Sequence, residues 1–168
     1  MFLLLRLVSA CICISTLFAQ PAFAVKVNSP APDFTLKDLN GRKVTLTELR
    51  GKAVILNFWS TTCAPCVAEM PGLNTLYREL KGHGLVVIGV SLDGSAQPVR
   101  ELAGNLQLDY PLVLDSDKAV YFDSYGLFGQ PISVLIDRNG TVAEQIIGQV
   151  DWLSPKIRQK VQNLLKGR

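Results

Sequence analysis

An apolar run, Ala53 to Ser60 (AVILNFWS), ends two residues short of Cys63-Ala64-Pro65-Cys66, and a stripe at helical spacing follows it at once through Val67, Met70, Leu73, Leu76, Tyr77 and Leu80. A short apolar run without polar alternation predicts a strand buried on both faces. Such a strand needs cover on each face of its sheet. The spacing also puts a pair of cysteines where a strand gives way to a helix. Pro71 inside the stripe predicts a kink.

The other elements follow by the same reasoning. Pro30 and Pro32 exclude a helix in the lead-in from Val25 to Pro32. Phe34 to Leu36 and Lys43 to Leu46 flank Asn40-Gly41, the signal of a short hairpin, and Thr47 to Arg50 predicts one helical turn before Gly51. Leu85 to Ser91 reads as a second buried strand, and Val99, Leu102, Ala103 and Leu106 as a helix opening near Ser95. Pro111 to Leu114 predicts a short strand and Lys118 to Phe122 a short helix. Ile132 to Asp137 and Thr141 to Ile147 form a hairpin through Asn139-Gly140. A closing helix carries Ile157, Val161, Leu164 and Leu165, with Ser154 as its cap and Pro155 in its first turn. Strands alternating with helices predict a single α/β domain, a three-layer sandwich around a mixed sheet with a β-α insert.

Met1 to Ala24 is set apart by its pattern. Arg6 precedes an uncharged apolar run from Leu7 to Ala19, and Ala22-Phe23-Ala24 fits a small-x-small cleavage site. The run has 13 residues where a membrane span needs ~20, so a secretory signal over 1–24 and a domain over 25–168 are expected. Val8-Ser9-Ala10-Cys11 also resembles a lipoprotein processing site, behind a very short apolar stretch. Cleavage after Ala24 leaves two cysteines, Cys63 and Cys66, in an exported protein, where disulfides persist. A net charge of +3 spread along the chain argues against a nucleic-acid partner.

The cysteine pair carries the chemistry. Cys63 falls at a helix N-terminus, where free N–H groups and the helix dipole favour a thiolate, and so a nucleophile toward another disulfide. Cys66, one turn further in, would resolve the mixed disulfide. A disulfide between them closes almost no loop and adds little stability. Zinc would need two more ligands, and none come from a second CxxC or a His pair. Copper would want a third ligand, and the one histidine, His83, lies in a Lys-Gly-His-Gly turn.

These motifs resemble the thioredoxin-like TlpA/ResA group of exported thiol-disulfide oxidoreductases, related to the AhpC/TSA–Redoxin proteins and including the cytochrome c maturation reductases. The resemblance runs from Ala31-Pro32-Asp33-Phe34-Thr35-Leu36 through FWSTTCAPC and Glu69-Met70-Pro71 to the PLVLDSD insert and Gly129-Gln130-Pro131 before VLIDRNG. It implies a thioredoxin-like fold and a redox-active Cys63–Cys66 disulfide. It implies that Pro131 is a cis-proline beside that disulfide, with Trp59, Thr62 and Gln130 in the substrate-binding surface. It also implies a Glu at position 69 as proton acceptor, since Asn57 stands where thioredoxins have a titrating Asp; the plain alternative for Glu69 is a solvated helix charge. The partners implied are a disulfide-bearing exported protein, such as an apocytochrome c or a copper-site protein, and a membrane thiol donor of the DsbD/CcdA type. No cofactor or metal is implied. The chain departs from the group at Thr62, where Trp is frequent, and Ala64 and Gln130 fill variable positions.

Two other activities compete for the same cysteines. A peroxiredoxin-like peroxidase wants Thr three residues before its reactive Cys and Pro four before that, and Ser60 and Leu56 stand there. A Cu(I) chaperone would use Cys63 and Cys66 as soft ligands. The direction of electron flow depends on the reduction potential.

Overall fold

The computed structural model describes residues 25–167, so the expected signal segment lies outside the described residues. The strands are β1 (Thr35–Asp38), β2 (Lys43–Thr45), β3 (Ala53–Trp59), β4 (Leu85–Ser91), β5 (Leu112–Leu114), β6 (Ile132–Ile136) and β7 (Val142–Ile147). The helices are α1 (Ala64–Leu80), α2 (Ala96–Asn105) and α3 (Pro155–Leu165). One mixed sheet has the order β2-β1-β5-β4-β3-β6-β7. Strands β3, β4 and β5 run parallel, while β6 pairs antiparallel with β3 and β1 with β5.

Strand β3 is buried along all of its seven residues, as its unbroken apolar run demands. Its side chains alternate between two cores. Ala53, Ile55 and Trp59 face one core with Met70, Leu73 and Leu76 of α1, Val99 of α2, and Val161 of α3. Val54, Leu56 and Phe58 face the other, where Phe34, Leu46, Tyr121, Tyr125 and Leu127 pack. All three α-helices therefore cover one face. The lead-in segment and the short turns at Leu46–Leu49 and Val120–Ser124 close the other, which makes a three-layer sandwich with one thin layer.

Two local expectations shift. The helix expected over Lys118 to Phe122 is a π-helical turn at Val120–Ser124. The buried Asp115 carboxylate takes the N–H groups of Val120 and Tyr121 at 3.2 and 2.9 Å, holding the turn's start two residues later. Ser154 precedes α3 as expected but does not cap it: its hydroxyl donates to the Asp151 carbonyl at 2.7 Å. The Asn40-Gly41 hairpin forms as read. Gly41 has φ +80°, and the Asp38 carboxylate receives the N–H groups of Asn40 and Arg42, both at 2.8 Å. Helix α1 continues through Pro71.

Candidate active site

Cys63 is the N-cap of α1, with extended backbone (φ −89°, ψ 96°), and Pro65 lies in the first turn, where a missing N–H costs nothing. Cys63 and Cys66 are joined in a disulfide, with Cα atoms 5.3 Å apart. The Cys63 Sγ also receives the Cys66 N–H at 3.3 Å, the position a capping oxygen occupies in an ordinary helix. In the reduced protein that N–H and the helix dipole favour the Cys63 thiolate. The two sulfurs differ in access: Cys63 is half-buried, and Cys66 is fully buried against Met70 and Trp59 in the helical core.

The turn from β3 into α1 is fastened on both sides. Thr61 donates to Asp93 through its N–H at 3.0 Å and its hydroxyl at 2.6 Å, and Ser91 adds its hydroxyl to the same carboxylate at 2.8 Å. Ser60 donates its hydroxyl to the Gln130 side-chain oxygen at 2.8 Å. Gln130–Pro131 is a cis peptide bond, and Pro131 is buried. Because Phe58 pairs with Ile132 in the β3–β6 ladder, Pro131 lies alongside Trp59, at the end of β3 that leads to the cysteines. Thr62 is exposed next to Cys63. Trp59 is wholly buried on the helical face of β3, so it supports the site from beneath and offers a partner no surface.

Glu69 is 4% exposed, which excludes a solvated helix charge. Asn57 donates its amide to Glu69 Oε1 at 2.9 Å and, with its other hydrogen, to Ser133 Oγ at 2.9 Å. The Val150 N–H donates to Glu69 Oε2 at 3.0 Å. Burial pushes the Glu69 carboxyl above the usual carboxylate range, against the lowering pull of the Val150 and Asn57 hydrogen bonds. The Trp152 indole N–H is near enough to favour the ion but forms no hydrogen bond. Tyr110, behind the same pair, is raised first by its own burial and then by the negative charge of Glu69. On its other side Glu69 borders an open cleft of about 370 Å³ with Ala68, Gly72, Val150 and Trp152.

The structure brings Asn57, Glu69, Cys63, Cys66, Gln130 and Pro131 to one end of β3, and adds residues that sequence reasoning missed. Asp93 had a visible signal: a carboxylate directly after a buried strand, at the strand end where α/β sheets place their sites. Val150 had none, because it acts through its backbone. Among the described residues, no three His, Cys, Asp or Glu side chains gather to hold a metal ion. His83 is exposed in the turn after α1.

Residues 27–145 match the model of the AhpC/TSA family, well over half of the chain. The chain belongs to the AhpC/TSA family. Within the AhpC/TSA family it is similar to the thiol-disulfide oxidoreductase ResA of Geobacillus thermodenitrificans, 42% identical over 74% of this chain and 71% of that one. It is also 34% identical to ResA of Bacillus subtilis, over 74% of this chain and 69% of that one. Its fold superposes on the crystal structure described as the thiol:disulfide interchange protein DsbE from Chlorobium tepidum, with a TM-score of 0.77 and 30% identity, over 84% of this chain and 99% of that one. This AhpC/TSA member has a thioredoxin-like fold and is a thiol-disulfide oxidoreductase whose partners carry disulfides.

Proposed function

We propose that this protein is an exported reductase of disulfides in envelope proteins, with Cys63 as nucleophile, Cys66 as resolving thiol and Glu69 as proton acceptor. The observation that carries the reading is the unequal pair at the head of α1: a half-buried Cys63 that holds the cap position and a fully buried Cys66 behind it. The Cys63 thiolate attacks one sulfur of the partner's disulfide. A mixed disulfide forms, and the partner's other sulfur leaves as a thiolate that takes a proton from water. Cys66 then gives its proton to Glu69 and attacks the Cys63 sulfur. The partner's second sulfur leaves as a thiolate and takes a proton from water, so the partner gains two electrons and becomes a dithiol, and the Cys63–Cys66 disulfide is restored. Glu69 suits this role because burial raises its affinity for a proton, and the adjacent cleft returns that proton to solvent.

Thr62, Gln130 and Pro131 frame the sulfur that meets the partner. The partner would be an apocytochrome c or a copper-site protein. A membrane thiol carrier of the DsbD/CcdA type would supply the two electrons of each cycle, and Met1 to Ala24 would direct export and be removed. No helix among the described residues is long and apolar enough to cross a membrane.

The test is the reduction potential of the Cys63–Cys66 pair, measured in protein beginning at Val25 by equilibration with thiol-disulfide buffers. A value near or below the ~ −270 mV of thioredoxin is expected for a reductase; a value nearer the ~ −120 mV of a disulfide-inserting oxidant overturns the proposed direction.

A further inference from the structure

Next to the redox site, on the sheet face away from the α-helices, two aromatic rings stand in water. Phe128 is 78% exposed and Phe122 is 41% exposed, and their rings pack at 5.8 Å. Their contact makes them one exposed apolar patch and not two scattered side chains. With Leu92, Tyr121, Lys118 and Gln130 they line an open cleft of about 420 Å³.

The cleft is built, not incidental. Its floor is Tyr121, fixed from three sides. Its N–H goes to Asp115, its ring packs at a tilt against Phe58 of β3 with centroids 5.8 Å apart, and its hydroxyl donates to the Gly129 carbonyl at 2.6 Å. That last bond ties the Val120–Ser124 turn to the segment that leads into Pro131. Gly129 has φ +95°, a conformation that turns the chain between Phe128, directed to solvent, and Gln130, fastened to Ser60. One wall of the cleft, Gln130, is therefore hydrogen-bonded to the turn that carries Cys63. The cleft therefore adjoins the turn between β3 and α1 through the Gln130–Ser60 hydrogen bond.

We propose that this cleft seats an apolar side chain, aromatic or branched aliphatic, of the partner polypeptide, belonging to a residue within a few positions of the cysteine that bonds to Cys63. The proposal rests on the reading of Cys63 as the nucleophile that meets the partner. It assigns Phe122 and Phe128 as specificity-determining residues, with Tyr121 positioning them. The rings are held before the partner arrives, so little ordering opposes binding.

The test uses two decapeptides, each with one cysteine in a disulfide to 2-mercaptoethanol. They are identical except for Phe or Ser two residues from that cysteine. Thiol release is followed with the reduced protein. Seating the ring should favour the Phe peptide on the order of tenfold in the second-order rate constant of this single turnover, the discrimination an apolar pocket commonly achieves. In Phe128→Ser and in Phe122→Ser the ratio should fall to within about twofold of unity, the Ser peptide serving as the reference within each variant. Both side chains are exposed enough for the fold to survive their replacement. Equal rates for the two peptides in the unaltered protein, or an unchanged preference in both variants, would overturn the docking proposal. Failure to react with either peptide would instead overturn the reading of Cys63, and the docking proposal with it.

Discussion

Glu69→Gln gives the most discriminating test of the buried carboxyl. Both of its neighbours are donors, the Asn57 amide at 2.9 Å and the Val150 N–H at 3.0 Å, and a carboxylate accepts from both. A Gln side chain has one acceptor, so its own NH₂ must face one of these donors. One hydrogen bond is lost and one buried donor is left unmatched, a destabilisation of about 1–3 kcal/mol. The pH dependence separates this loss from the electrostatics. Burial raises the Glu69 pKa in the folded state, so the folded protein holds a proton that the unfolded chain has released. Stability from this group is complete below the unfolded pKa of ~4.3 and falls as pH rises through the higher folded value, by at most about 1.4 kcal/mol for each unit of elevation. The open cleft beside Glu69 lets water screen the charge, so the full amount will not appear. The Gln variant lacks this fall. The gap between the two proteins should therefore be wider at pH 4.5 than at pH 8, as read by urea denaturation across a pH series. A gap that is constant or widens with pH would refute the reasoning. In the same variant, the step in which Cys66 resolves the mixed disulfide should slow by about 10²-fold or more and lose the pH dependence that a titrating carboxyl gives it.

Gly89 is paired with Asn57 across β3 and β4, and a Cβ there would lie 2.5 Å from Leu112 Cδ2 and 3.1 Å from both the Trp59 indole nitrogen and the Tyr110 ring. Gly89→Ala should destabilise by about 1–3 kcal/mol in thermal or urea unfolding, and a change under about 0.5 kcal/mol would show that these rings yield freely. Cys66→Ala should accumulate the mixed disulfide between Cys63 and a disulfide substrate, visible by mass spectrometry, whereas Cys63→Ala should form none. Peroxide consumption with purified protein should not exceed background; measurable turnover would revive the peroxidase reading that Ser60 and Leu56 argue against.

The central strands were readable because burial leaves its mark in consecutive residues. LVVIGVS reads as a covered strand, and β4 spans Leu85–Ser91 as expected. The cysteine motif announced its own position at the head of a helix. What escaped reading depends on distant partners or on side chains that compete for backbone groups. Asp115 sets the start of the turn at Val120, Ser154 bonds to Asp151 in place of capping, and Trp59 points inward although its neighbours in the motif lie near the surface. The environment of Glu69 was the least legible, since Val150 lies 81 residues along the chain and the Ser133 that steadies Asn57 lies 76 residues from it. No local pattern encodes such a meeting.

The same long separations govern when the chemistry becomes available during synthesis. Strand β3 and the cysteines emerge early, but β3 is flanked by β6, and Glu69 is bonded to a segment beyond β7. A chain that stops before residue 130 carries both thiols without Pro131, Gln130 or the Val150 hydrogen bond. Pairings of such high sequence separation close late. Until the last quarter of the chain arrives, Cys63 and Cys66 lack the Gln130–Pro131 segment and the Val150 contact to Glu69 that surround them in the folded protein. The surroundings of the pair are a property of the finished molecule, and a chain cut short would carry the motif without them.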